Sequence, residues 1–101
     1  MTNHSKLSDS ELCAAVAPLV GWVNGYSQDA QDRLLSWSGI GLVVEAMREK
    51  GWFVSIEQCS EFWSVCFESD KHHADTPDKW TLDPIPWRAV HLAVLSTLEE
   101  K

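Results

Sequence analysis

The clearest periodicity in the chain lies toward its C-terminal end. Trp87, Val90, His91, Val94, Leu95 and Leu98 recur at intervals of three and four, the spacing of one face of an α-helix. Asp83 and Pro84 stand just ahead of them. A capping Asp followed by Pro at the first helical position predicts a helix over about 84–99. A second stripe, Ile40, Val43, Val44 and Met47, predicts a helix over about 39–50, opened by Ser38. Arg48 and Lys50 lie at its negative end and Gly51 stands where the chain leaves it. Near the start, Ser8 and Glu11 have capping-box spacing ahead of Leu12, Ala15, Val16 and Leu19. Pro18 interrupts that run, so the first helix is expected over about 9–17. Gly21 to Gly25 reads as a break, and the polar stretch Tyr26 to Ser36 as a loop or a short, poor helix.

Between Trp52 and Glu68 the period changes to two. Trp52, Val54 and Ile56 alternate with Phe53, Ser55 and Glu57. Trp63, Val65 and Phe67 then alternate with Phe62, Ser64, Cys66 and Glu68. The connection Gln58 to Glu61 is short enough for a hairpin over about 52–68. Trp80-Thr81-Leu82 can add a short third strand near 80–82, and the polar stretch Ser69 to Lys79 reads as a surface loop. The predicted class is therefore α+β: a layered α/β/α sandwich in which helices of about 9–17, 39–50 and 84–99 pack a small antiparallel sheet. Aromatics on both sheet faces call for cover on both sides, or leave one face for a partner.

Composition narrows the function classes. The length of 101 residues suits a single domain spanning 1–101. Eight Lys and Arg against fifteen Asp and Glu give a net charge of −7, which argues against binding duplex nucleic acid or an anionic membrane surface. It fits a basic protein partner. Six tryptophans are expected mostly in the core, with one or two as surface anchors. The start Met1 to Lys6 is polar and no apolar run approaches the roughly 20 residues of a membrane helix. Cys13, Cys59 and Cys66 cannot all pair within the chain. Free thiols in a reducing cytoplasm are expected, although Cys59 and Cys66 flank the hairpin turn at a spacing a bridge could span.

The order of short motifs resembles a known group. Ser5-Lys6-Leu7-Ser8-Asp9-Ser10-Glu11-Leu12 is similar to the opening of small phage proteins of the NinX-like family, and Asp83-Pro84-Ile85-Pro86-Trp87-Arg88-Ala89-Val90 to their closing segment. Between them, Trp37 ahead of the helical stretch Gly41–Lys50 and the aromatic-rich Phe62-Trp63-Ser64-Val65 follow the layout of the related phage ABA-sandwich domain. The resemblance implies a small phage-encoded accessory protein with an α-β-α layered fold. It brings no catalytic residues to carry over. The segment Val23 to Leu35 departs from the pattern.

No catalytic constellation stands out. His72-His73 with Asp75, near Cys66 and Asp70, has metal-ligand residue types, but adjacent histidines diverge on most backbones and a solvated loop is the simpler reading. His91 lies on an apolar stripe, where a core histidine with a backbone partner is expected rather than a base. A Cys–His nucleophile pair has no motif behind it. Ser38-Gly39-Ile40-Gly41 could offer amides to an anion, yet it lacks the lysine of a phosphate loop, and close packing is the commoner use of such glycines.

The expected function is non-enzymatic and cofactor-free. A cytoplasmic, phage-encoded accessory protein is expected to bind a host protein, countering a defence system, through Glu57, Glu61, Glu68, Asp70 and Asp75 with Trp80 as an anchor. The alternative is a sponge for a nucleotide signal, stacking its base on Trp37 and holding its phosphates with Ser38, Gly39, Gly41 and Arg88. Aromatics on both sheet faces also make a homodimer an open option.

Overall fold

The computed structural model describes residues 7–22, 27–69 and 80–99, with residues 98 and 99 described by their backbone alone. Helix α1, Asp9–Val16, starts with the predicted capping box: the Glu11 amide donates to Ser8 Oγ at 3.2 Å and the Ser8 amide to Glu11 Oε1 at 3.0 Å. Pro18 does not end the helical path but tightens it into a 3-10 turn, Ala17–Val20. Gly21 then closes the turn at φ +80°, a left-handed conformation that suits glycine.

The polar stretch resolves into a helix. Helix α2, Gln28–Leu34, is capped by Ser27 Oγ, which accepts from the Ala30 amide at 3.1 Å. Only Ala30 and Leu34 of this helix are buried, so its apolar stripe is too thin to register as a pattern.

Helix α3, Trp37–Glu49, begins two residues earlier than the sequence predicts. Ser36, not Ser38, is its cap. Ser36 Oγ accepts from the Gly39 amide at 3.2 Å and donates to the Arg33 carbonyl at 2.8 Å. One hydroxyl thus ends α2 and starts α3. At the far end Gly51, at φ +91°, takes the expected left-handed position, and the Trp52 amide returns to the Met47 carbonyl at 3.0 Å.

The hairpin forms as its alternation predicts. Strand β1, Phe53–Gln58, runs antiparallel to β2, Trp63–Glu68, with Phe53 opposite Glu68 and Gln58 opposite Trp63. Strand β3, Thr81–Asp83, pairs with the other edge of β2, placing Leu82 opposite Ser64. The sheet order is β1-β2-β3.

Helix α4, Pro86–Glu99, corrects a second boundary. Asp83 is still paired with Trp63 in the sheet, so the chain needs two more residues to turn. Pro86 rather than Pro84 therefore takes the first helical position. The Asp83 carboxylate accepts from the Ile85 amide at 2.9 Å, and the Ile85 carbonyl accepts the first helical bond, from Ala89, at 3.0 Å.

Helix α4 packs against β2 and β3 and also against α1 and α3. Every residue from Ala89 to Leu95 is buried. That run exceeds one helical turn, so the helix is enclosed on all sides there, not along a single stripe. Its apolar side chains join Leu12 and Val16 of α1, Leu34 of α2, Ile40, Val43 and Met47 of α3, and Val65 and Phe67 of β2 in one core. The result is a small α+β fold with helices packed on a three-stranded antiparallel sheet. Val54 and Trp63 pack on this core from the same sheet face as Val65 and Phe67.

Candidate interaction surface

The alternate residues of the strands share the opposite sheet face. By register these are Phe53, Ser55 and Glu57 of β1, Ser64, Cys66 and Glu68 of β2, and Leu82 of β3. Ser64 and Cys66 in the central strand are buried, whereas Phe53 is 59% exposed on one edge strand and Leu82 55% exposed on the other. The face thus has small buried side chains on its central strand and a large exposed apolar one on each edge, at diagonal corners. Two strand spacings separate these edges, about 10 Å.

Of the residues expected to meet a partner, Glu57 and Glu68 lie on this face, Glu57 exposed and Glu68 half-buried. Glu61 is exposed in the hairpin turn, and Trp80 is half-buried just before β3. Asp70 and Asp75 lie outside the described residues, as do His72 and His73. Among the described residues, no group of three or more His, Cys, Asp or Glu side chains is placed to hold a metal ion. Nor is any described helix long and apolar enough to cross a membrane.

The residues of the nucleotide alternative point to different places. Trp37 is 58% exposed and meets Trp63 of β2 edge-on, with ring centroids 5.3 Å apart. Gly39 is buried against the end of α2, where an added Cβ would collide with the backbone of Leu34. Its role is close packing between helices. Ser38 and Gly41 face a groove lined also by Glu45 and Glu49, a setting that opposes phosphate. Arg88 is engaged elsewhere: it donates to Asp9 Oδ1 at 2.6 Å and to the Leu7 carbonyl at 2.9 Å, and lies 3.7 Å from Asp83 Oδ2. It ties the start of α1 to the start of α4.

The thiols and the core histidine sit in differing environments. Cys13 and Cys59 are free thiols, and Cys13 and Cys66 are buried. Burial, with Asp9 nearby, pushes the Cys13 thiol up to about 11, so it stays protonated and unreactive near neutrality. His91 is fully buried and its Nε2 lies 2.7 Å from the Leu34 carbonyl. A carbonyl only accepts, so Nε2 carries the proton and Nδ1 is left buried without a partner. Burial, and secondarily the Arg88 charge, holds this imidazole below its ordinary value and therefore neutral.

Sequence reasoning placed Phe53 on the mixed face but did not single out Leu82, which comes from a strand of three residues, too short for an alternation to show. No protein-family model matches this chain, and neither a curated protein nor a solved structure matches it.

Proposed function

We propose that this protein acts by binding, and that the outer face of its sheet docks a basic protein partner. The observation that carries this reading is that Phe53 and Leu82, both more than half exposed, stand at diagonal corners of the face that also carries Glu57 and Glu68. Scattered exposed apolar residues are ordinary on any surface. Two large ones on one sheet face, with carboxylates on the same face, make an anchor-and-rim arrangement in which apolar groups supply affinity and charge selects the partner. Glu61 in the adjoining turn and a net charge of −7 extend the same field, which favours Lys- and Arg-rich surfaces and repels phosphates.

Together with the motifs that resemble NinX-like proteins, this reading makes the chain a phage-encoded accessory protein engaging a host factor. Countering a host defence is the role that follows from such a setting. The test is photo-crosslinking from position 82 in a host lysate at low and moderate salt, with a Phe53→Ser/Leu82→Ser variant carrying the crosslinker at position 55 alongside a position-55 control. Basic proteins captured by the parent, weakened by salt and lost in the double variant, support the reading. Capture of nothing at low salt, or capture indifferent to both changes, overturns it.

A further inference from the structure

Helix α3 presents a second surface, away from the sheet. Ser38, Gly41, Leu42, Glu45, Ala46 and Glu49 of this helix line an open groove of about 790 Å³. They fall at successive steps of three, one, three, one and three, so they form a single helical face about 17 Å long. Leu19 and Val20 of the 3-10 turn supply the other wall. The groove has small residues, Gly41 and Ala46, in its helical wall and the 40%-exposed Leu42 beside them.

The two glycines of α3 separate its inward and outward demands. Gly39 is required by the fold, because a side chain there would strike Leu34. At Gly41 an added Cβ would meet nothing within 4 Å. Glycine in an exposed helix interior lowers helix stability relative to alanine, and nothing within this chain's described residues requires it there. A helix laid into the groove would require it, since a position without a Cβ lets a second backbone approach closely.

Charge identifies the occupant. Glu45 and Glu49 line the groove, and among the described residues no Lys or Arg does. Arg48, outside the groove lining, already pairs with Glu45, so among the described residues Glu49 is the groove carboxylate without an ion pair. A second copy of this chain is a poor fit: a twofold pairing would face the same carboxylates toward each other, on chains each carrying −7. We infer that the α3 groove receives an amphipathic helix of a partner protein, with its apolar stripe on Leu19, Val20 and Leu42 and lysine or arginine flanks toward Glu45 and Glu49. With the sheet face, this gives the molecule two separate docking surfaces, so it can bridge two proteins.

The probe is a synthetic amphipathic peptide of about 18 residues, leucines on one face and lysines flanking them, titrated into the isotope-labelled full chain by NMR. Controls are the same peptide with Glu for Lys, and a scrambled version. The lysine peptide is expected to shift the amides of Gly41, Leu42 and Ala46. Gly41→Leu should raise its Kd at least about tenfold, and Glu45→Gln/Glu49→Gln should weaken it and flatten its salt dependence. Phe53→Ser/Leu82→Ser should leave it unchanged, so failure here and failure of the sheet-face reading are told apart. Absence of those shifts, equal binding of the scrambled or acidic peptide, or indifference to Gly41→Leu overturns the inference. So does a homodimer whose shifted amides map to the groove.

Discussion

His91 donates its Nε2 proton to the Leu34 carbonyl across 2.7 Å, joining the central helix to the end of α2. The same Leu34 backbone is what excludes a side chain at Gly39. Three helices therefore converge on one peptide unit, through a hydrogen bond from one side and close van der Waals contact from another.

This histidine sets a pH dependence. Its folded value lies below the ordinary 6.5 because burial opposes the charged ring. As pH falls below about 6.5 the unfolded chain takes up a proton that the folded chain refuses, so stability declines there and is level above. Glu11 and Glu45 have lowered values from an ordinary 4.5, so their contributions persist above that value and fade only at lower pH. Urea midpoints between about pH 7.5 and 5 should show the decline in the parent and a flatter profile in His91→Leu. That variant should also be less stable at neutral pH by about 1–3 kcal/mol, from the unpaired Leu34 carbonyl. Equal slopes in the two proteins would remove His91 from the account.

Opposite outcomes are expected at two glycines two residues apart. Gly39→Ala must displace the Leu34 backbone and should cost about 1–3 kcal/mol or more. Gly41→Ala meets open space in a helical conformation and should stabilise by about 0.4–1 kcal/mol. Chemical denaturation of both variants checks the sign at each position; destabilisation of the same size at both would refute the distinction.

Arg88→Met should lower stability by about 1–3 kcal/mol, because it strips a mostly buried guanidinium (13% exposed) from Asp9, Asp83 and the Leu7 carbonyl. Lysine at this position has no planar fork for several simultaneous acceptors, so Arg88→Lys should recover only part of the loss. Thermal melts of the three proteins decide this, and full recovery by lysine would count against the multidentate role.

Thiol reactivity should be graded. With a disulfide reagent at neutral pH the half-buried Cys59 should label first. Cys13, buried and with its thiol pushed up to about 11, should label only as fast as the protein opens. Stopped-flow labelling of Cys→Ser variants separates the sites; rapid labelling of Cys13 would contradict its burial.

Much of the fold was legible because its signals are local. The Ser8–Glu11 box, the Gly51 exit and the alternation around Val54 and Val65 all act within a few residues of themselves. The misplaced starts of α3 and α4 have a different origin. Ser36 and Ser38 are equally good caps in isolation, and the choice falls to Ser36 because its hydroxyl also closes α2 on Arg33. Pro84 lost to Pro86 because Asp83 belongs to a strand whose partner, Trp63, lies twenty residues away. Likewise the complete burial of Ala89, Leu92 and Ala93 follows from what surrounds α4, which no periodicity within α4 reports. The surface residues were harder still. Glu57 and Glu68 could be found by alternation, but Leu82 and Gly41 gain meaning only from neighbours, or from the emptiness, that the folded chain puts beside them.

The enclosed position of α4 has a consequence for biosynthesis. Translation is vectorial, and this helix is made after every element it touches. While the ribosome is still reading the earlier codons, the hairpin and the first helices have no scaffold to close upon, and a nascent chain can shield its apolar groups only loosely. Productive folding is then a late, nearly concerted event, and a premature stop ahead of Pro86 would leave a sticky remnant for the cell's proteases instead of a smaller working domain.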